Sequence, residues 1–211
     1  MTGCVAAATG NGVGRPGLAA RRAAAPGREK GATLAEFAIH DLPVLSGRLA
    51  ISPIPGRTRH YATDRARLLA WRPRLVVTMT TLAELARKGS AGLPGDLAAH
   101  GIAWRHLPVV DFGAPGAEVE AVWPEVSALA RGRLAKGGRV LVHCFGGCGR
   151  SGMAVLRLMV EAGEAPDAAL VRLRAVRPCA VETEAQMLWA RRDAARPGAG
   201  PGTSPRPPSR F

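Results

Sequence analysis

One stretch of the sequence constrains the fold most strongly: an apolar strand, a glycine-rich turn and a helix follow one another directly. Residues 139–143 (RVLVH) read as a buried strand, and residues 151–162 carry apolar side chains at helical spacing. The turn between them begins CFGGCGRS and contains three glycines. The backbone N–H groups of such a turn and the N-terminus of the following helix favour a tetrahedral anion. The segment therefore predicts a phosphate-binding loop.

The side chains of this loop add a nucleophile and a cation to the predicted anion site. Arg150 offers a planar pair of donors for two phosphate oxygens, which a lysine could not replace. The same positive field favours the thiolate form of Cys144, which would lie beneath the phosphate and be placed for in-line attack. The phosphate-binding residues are predicted to be Phe145, Gly146, Gly147, Cys148, Gly149 and Arg150.

The rest of the chain alternates short apolar strands with amphipathic helices. This alternation predicts an α/β domain with a mostly parallel sheet flanked by helices. The domain is expected to span residues 34–195, between a disordered Ala/Gly/Arg-rich tail at 1–33 and a disordered Pro/Gly-rich tail at 196–211. We expect residues 61–71 to form a helix that faces the core with Ala66, Leu69 and Ala70. The other predicted strands are 49–51, 74–79 and 102–109, and the other predicted helices are 81–88, 117–134, 167–176 and 184–195.

Composition argues against several other classes of protein. The formal net charge is +13, but about half of it lies in the two tails, and only three of the 29 basic residues are lysine. Nucleic acid is therefore an unlikely partner, although a basic surface steers acidic partners. No apolar run is long enough to cross a bilayer, and no secretory signal is evident. Four irregularly placed cysteines do not suggest a disulfide framework, so we expect a cytoplasmic protein.

The pattern His-Cys-x-x-Gly-x-x-Arg-Ser, found from His143 to Ser151, resembles the signature of the protein tyrosine phosphatase superfamily in its dual-specificity branch. The loop is most similar to kinase-associated phosphatases (the cyclin-dependent kinase inhibitor 3 group) and their bacterial relatives. Residues 104–115 (WRHLPVVDFGAP) resemble the family's loop with an aspartic acid, and residues 52–56 and 177–186 match further family segments. The resemblance covers roughly residues 45–190 and implies a three-layer phosphatase fold.

The resemblance also implies a role for each residue of the site. Cys144 would form a phosphocysteine intermediate and Arg150 would bind the phosphate. Asp111 would protonate the leaving group and then deprotonate the attacking water. His143 would orient the loop, and the hydroxyl of Ser151 would help the thiolate to leave. The implied reaction is phosphomonoester hydrolysis that needs no metal and no cofactor.

The sequence leaves the roles of four residues open: three have more than one possible role, and one has no assigned role. Gln186 either completes a capping box with Thr183 or positions the attacking water. Cys148 is either an apolar filler or a resolving thiol that traps oxidised Cys144 in a disulfide. His143 could be only a buried packing residue, and no function is assigned to Cys179.

The loop favours phosphoproteins as substrates, with tyrosine or dual specificity. Phosphoinositide-directed relatives usually carry lysine in the loop, and this loop has none. The sequence gives neither the physiological substrate nor the oligomeric state. Competing interpretations are a catalytically inactive domain that holds phosphorylated partners, a sulfurtransferase with a shorter loop, and a metal site at His143, Cys144 and Cys148. The Gly-Lys-Ser/Thr of a nucleotide-binding loop is missing, so ATP or GTP is not implied.

Overall fold

The computed structural model describes residues 37–192, and a five-stranded sheet lies at the centre of this part of the chain. The strands are β1 (His40–Val44), β2 (Gly47–Pro53), β3 (Leu75–Thr78), β4 (Ala103–His106) and β5 (Arg139–Cys144). Their order across the sheet is β1-β2-β5-β3-β4. β1 pairs with β2 in antiparallel fashion, and all other neighbours are parallel. The predicted α/β fold with a mostly parallel sheet is therefore confirmed, and the two predicted tails lie outside the described residues.

Helices cover both faces of the sheet, as a largely parallel sheet requires. Successive residues of the central strands enter different cores: Val140 and Val142 face one, whereas Leu141 faces the other. The first core packs against α4 (Ala117–Ala135), α5 (Gly149–Glu161), α6 (Pro166–Val176) and α7 (Glu184–Ala190). The second packs against α1 (Tyr61–Ala70), α2 (Leu82–Arg87) and α3 (Leu93–Ala99). Within residues 37–192, no helix is both long and apolar enough to cross a membrane.

The carboxyl ends of the four parallel strands meet at one edge of the sheet. β2 leads into the turn at residues 54–57, β3 into α2, β4 into the segment that carries Asp111, and β5 into the glycine-rich loop. Ligands of open α/β sheets bind at this edge, because the loops there converge on the space beyond the strands. The topology therefore brings together four segments that are far apart in the sequence.

The sequence did not predict β1 or α3, and it assigned the wrong face to α1. In α1 the buried residues are Asp64 and Leu68; of the three residues predicted to face the core, Leu69 is half-buried against the second core, whereas Ala66 and Ala70 are exposed. The reason is a polar contact, since the Asp64 carboxylate accepts a hydrogen bond of 2.8 Å from the buried N–H of Gly56. A buried backbone donor needs a partner, and this requirement turns the helix away from its most apolar face.

Candidate active site

The predicted phosphate loop lies between β5 and α5 and places a thiol against a hydroxyl. Cys144 is the last residue of β5, and its side chain is buried at the edge of the first core. α5 begins at Gly149, two residues earlier than predicted, so that Arg150 lies in its first turn. The Sγ atom of Cys144 is 3.1 Å from the buried Oγ of Ser151. The loop therefore positions a hydroxyl group within hydrogen-bond distance of the sulfur.

Gly147 shows why this loop is rich in glycine. Its φ of +67° lies in the left-handed region, which side chains with a Cβ rarely adopt. A Cβ at this position would also come within 2.5 Å of the backbone of Ser52 and Pro53 at the end of β2. Both the conformation and the close approach of β2 therefore require glycine at position 147.

Arg150 is a buried cation whose side chain is 1% exposed. Its Nη1 donates to Glu84 Oε2 and to the carbonyl of Val109, each at 2.9 Å, and its Nη2 donates to Glu84 Oε1 at 2.9 Å. Nη2 also lies 3.0 Å from Asp111 Oδ1. Burial acts to lower the pKa of Arg150, but its hydrogen bonds to Glu84 and the nearby negative charges outweigh it and raise the pKa. Arg150 therefore stays charged and is held in one orientation.

Glu84 is a site residue that the sequence interpretation missed. The capping box that it forms with Thr81 was predicted and is present, but the same carboxylate also grips Arg150 with both oxygens. Burial would raise the pKa of Glu84, yet the hydrogen bonds from Arg150 and from the Thr81 N–H prevail and lower it. The signal in the sequence was its position in the first turn of the helix that follows β3, whose carboxyl end borders the loop.

Asp111 lies on the segment between β4 and α4 and reaches Arg150 from the solvent side. Its side chain is 58% exposed, in contrast to Arg150 beneath it. The following residues are tied to α7, because Thr183 Oγ1 donates to the carbonyl of Phe112 and Gln186 Nε2 donates to the carbonyl of Gly113. The structure thus brings Asp111 into the predicted site, next to the cation that would hold the phosphate.

His143 contacts the neighbouring strand. Its Nε2 is 2.7 Å from Thr78 Oγ1, and this oxygen accepts the indole N–H of Trp104 at 2.8 Å. The Nδ1 atom is buried and makes no hydrogen bond within residues 37–192. Burial, followed by the charges of His106 and Arg150, lowers the pKa of His143 to about 3. The imidazole is therefore neutral, and it braces the end of β5 against β3.

Arg177 supports the loop from its outer side, and it is a second residue that the sequence did not single out for a role. Its Nε donates to the carbonyl of Gly147 at 2.8 Å, and its Nη2 donates to the carbonyl of Gly146 at 2.9 Å. Since a trans peptide directs its C=O and the next N–H to opposite sides, the N–H groups that follow these carbonyls turn to the inner side of the loop. Arg177 thereby helps to form the anion site.

Cys148 is bonded to Cys179 in a disulfide, with their Cα atoms 5.2 Å apart. Cys144 is a free and buried thiol in this structure, and the alternative in which Cys148 traps oxidised Cys144 stays a prediction. The expectation that Cys148 is an unpaired filler is corrected, and Cys179 has a bonding role that the sequence did not assign. The sequence did not predict this disulfide because the two cysteines are 31 residues apart, and only the fold brings the segment after α6 next to the loop. The cytoplasmic location stays a prediction.

Gln186 is fully buried, and its amide is engaged at both ends. Its Oε1 accepts the N–H of Glu182 and its Nε2 donates to Gly113, each at 3.0 Å. Its backbone N–H donates to Thr183 Oγ1, so that half of the predicted capping box is present. In this structure Gln186 fastens the Asp111 segment to α7, and positioning a water stays a prediction.

Comparison with known proteins adds to this geometry. A family model described as "Tc-R-P: Polymorphic toxin system, DSP-PTPase phosphatase" matches residues 55–164, which is more than half of the chain. The chain belongs to this family. It is a cysteine-dependent protein phosphatase of the tyrosine and dual-specificity type, as the sequence predicted. No curated protein sequence matches the chain.

Solved structures of phosphatases resemble the chain over most of their length. The active form of Tk-PTP is 31% identical with a TM-score of 0.53, over 68% of this chain and 88% of that protein. Kinase associated phosphatase, with its catalytic cysteine replaced by serine, is 22% identical with a TM-score of 0.64, over 74% of this chain and 93% of that protein. PTPMT1 in complex with PI(5)P is 18% identical with a TM-score of 0.56, over 72% of this chain and 92% of that protein. The last two likenesses show the shared fold.

Proposed function

We propose that this phosphatase removes phosphate from proteins in two steps that are carried out by Cys144, Arg150, Asp111 and Ser151. The observation that carries the proposal is the juxtaposition at the loop. The Cys144 sulfur lies 3.1 Å from the Ser151 hydroxyl, and Arg150 is held at the start of the same helix with Asp111 above it. A nucleophile, a phosphate anchor and an acid therefore meet at one edge of the sheet.

In the first step the phosphate of the substrate enters the loop and meets the guanidinium of Arg150. Three of its N–H groups donate to Glu84 and Val109, Nη2 also forms an ion pair with Asp111, and within residues 37–192 its Nε–H makes no hydrogen bond. A phosphate oxygen at Nη2 competes with the exposed Asp111, whereas the Glu84 contacts stay buried. Phosphate binding thus frees Asp111. The thiolate of Cys144 bonds to phosphorus as the ester P–O bond breaks, and Asp111, in its protonated form, gives its proton to the leaving oxygen and becomes a carboxylate.

In the second step water cleaves the phosphocysteine. Asp111, now a carboxylate, takes a proton from the water as its oxygen bonds to phosphorus, and the S–P bond breaks. The electron pair returns to Cys144, where the hydroxyl of Ser151 can donate a hydrogen bond to the departing thiolate. Inorganic phosphate leaves the loop, and the thiolate is regenerated for the next turnover.

Hydrolysis of para-nitrophenyl phosphate without added metal tests these roles. We expect the wild type to turn over, Cys144→Ser to be inactive, and Asp111→Asn to lose about 100-fold or more in kcat, as expected for loss of a general acid. Asp167→Asn is a matched control, since Asp167 also pairs with an arginine, at 2.6 Å, but on the exposed surface of α6. Its activity should stay at the wild-type level.

Acid quenching with mass spectrometry of the loop peptide tests the intermediate directly. One phosphoryl group should appear on Cys144 during turnover by the wild type. A folded wild type that binds inorganic phosphate but never hydrolyses the ester would overturn the proposal, and the domain would then recognise phosphate without removing it.

A further inference from the structure

Three cations surround the aromatic ring of Phe145, the residue that follows the nucleophile. Lys88 Nζ lies 4.9 Å from the ring centroid, and the guanidinium carbons of Arg87 and Arg57 lie 5.7 and 5.9 Å from it. These distances are typical of cation–π contacts. We call Arg57, Arg87 and Lys88, together with the neighbouring exposed Arg59, the basic rim.

The basic rim has no acidic partner within residues 37–192. None of its four members forms an ion pair there, and the side-chain Nζ of Lys88 donates only to the carbonyl of Arg57, at 3.5 Å. Among the carboxylates near the loop, those of Glu84 and Asp111 contact Arg150, and that of Glu182 lies beside Gly149. Within residues 37–192, none of the three forms an ion pair with the rim. Like charges gathered in this way repel one another unless an anion comes between them.

The rim faces the phosphate loop. Burial, followed by repulsion from Arg57, lowers the pKa of Arg177, whose guanidinium grips the loop carbonyls. The field of Arg57 therefore reaches the loop. On its far side the rim opens into a cavity of about 540 Å³ lined by Arg59, Tyr61, Arg87, Lys88 and Gly89.

Helix α2 sets the distance between the rim and the scissile phosphate. Glu84 holds Arg150, and Arg87 and Lys88 follow three and four residues later, on the same side of the helix. One helical turn advances about 5.4 Å, whereas an extended peptide advances about 3.3 Å per residue. A group bound at the rim therefore lies one to three residues away from a phosphorylated residue whose phosphate is at Cys144.

We propose that the basic rim binds a second anionic group of the substrate, a carboxylate or phosphate on a residue next to the phosphorylated one. The inference rests on the proposed function and names the class of phosphoprotein segment that this site selects. A polypeptide fits better than a lipid headgroup, because the Asp111 segment exposes Val110 and Phe112 beside the same loop. A peptide can place an apolar side chain there and an acidic one on the rim.

The test compares hydrolysis of phosphotyrosine peptides whose flanking residues are alanine, glutamate or phosphothreonine. For the wild type we expect kcat/KM to be about tenfold higher with an acidic flank, and the advantage to shrink as salt is raised. In Arg87→Gln/Lys88→Gln the ratio between acidic and neutral peptides should fall to about twofold. If phosphothreonine, with its charge of about −2 at pH 7, gains more than glutamate, the second group is a phosphate, and equal gains identify a carboxylate.

Arg133→Gln/Lys136→Gln is the matched control. It also removes an arginine and a lysine from the last turn and C-cap of a helix, α4, but at the opposite edge of the sheet. Its ratio should equal that of the wild type. The inference fails if the control loses the preference equally, if the wild type shows no preference, or if vesicles containing a phosphoinositide are hydrolysed faster than every peptide. If the proposed function were wrong, the wild type would not hydrolyse para-nitrophenyl phosphate. Turnover of this ester therefore separates failure of the rim proposal from failure of the proposed function.

Discussion

Replacing Glu84 by glutamine tests whether the grip on Arg150 organises the site. Removing one partner of a buried ion pair typically costs about 3–5 kcal/mol, because the other charge is left uncompensated. Here the loss is smaller, since Glu84 is 12% exposed, the carbonyl of Val109 still accepts a hydrogen bond from Arg150, and the carboxylate of Asp111 still forms an ion pair with it. The single amide oxygen of Gln can serve either Arg150 or the Thr81 N–H. We therefore expect the free energy of unfolding to fall by about 2–3 kcal/mol.

Urea denaturation measures this loss, and Glu125→Gln provides the control. Glu125 pairs with Arg105 at 3.5 Å and is 76% exposed, so its removal should change stability by no more than about 0.5 kcal/mol. The Glu84 variant should also be inhibited by inorganic phosphate about tenfold more weakly, because Arg150 is no longer held in place. If both variants unfold at the same urea concentration and bind phosphate equally, the grip on Arg150 does not organise the site.

The same variant changes how stability depends on pH. The pKa of Glu84 is lower in the folded chain than its ordinary value of 4.5. The stability that it contributes is therefore fully present above about pH 4.5 and is lost as the pH falls through the lower, folded pKa. We expect the stability difference between wild type and Glu84→Gln to be largest near neutral pH and to shrink in acid. A difference that grows as the pH falls would refute the assignment.

Three further predictions concern the loop and its support. Gly147→Ala should lower the free energy of unfolding, measured by urea denaturation, by more than about 2 kcal/mol and remove most of the activity. Gly89 also has a positive φ, of +71°, but nothing lies within 4 Å of an added Cβ, so Gly89→Ala should lower the free energy of unfolding only by the conformational strain of about 1 kcal/mol. Cys179→Ser should lower the free energy of unfolding by about 2–4 kcal/mol and abolish its dependence on dithiothreitol; unchanged stability would contradict the disulfide. Ser151→Ala should slow the second step, so that phosphorylated Cys144 accumulates in acid-quenched samples, and a slower first step without accumulation would exclude this role.

The sequence predicted the elements that carry a strong local pattern. β3 and β5 are short runs of buried β-branched and leucine residues, and such runs are typical of the buried strands of a parallel sheet. α3 did not, because its sequence LPGDLAA contains an internal glycine and offers little helical propensity. β1 contains Pro43 and pairs at the edge of the sheet, where proline is tolerated but weakens the local signal. What was missed depends on tertiary partners that no local window contains.

The site residues also divide into those that a local sequence pattern predicts and those that only the tertiary structure brings together. The loop from Cys144 to Arg150 was predictable because the nucleophile, the glycines and the cation are close in sequence, and one strand and one helix fix their geometry. Arg150, however, contacts two segments that follow different strands, Glu84 after β3 and the stretch with Val109 and Asp111 after β4, and Arg177 reaches the loop from beyond α6. A sequence reader can recover part of this network from topology. Because the carboxyl ends of parallel strands meet at one edge, an acidic residue in the first turn of the helix that follows a neighbouring strand, as Glu84 is, is a candidate partner for a buried arginine in the loop.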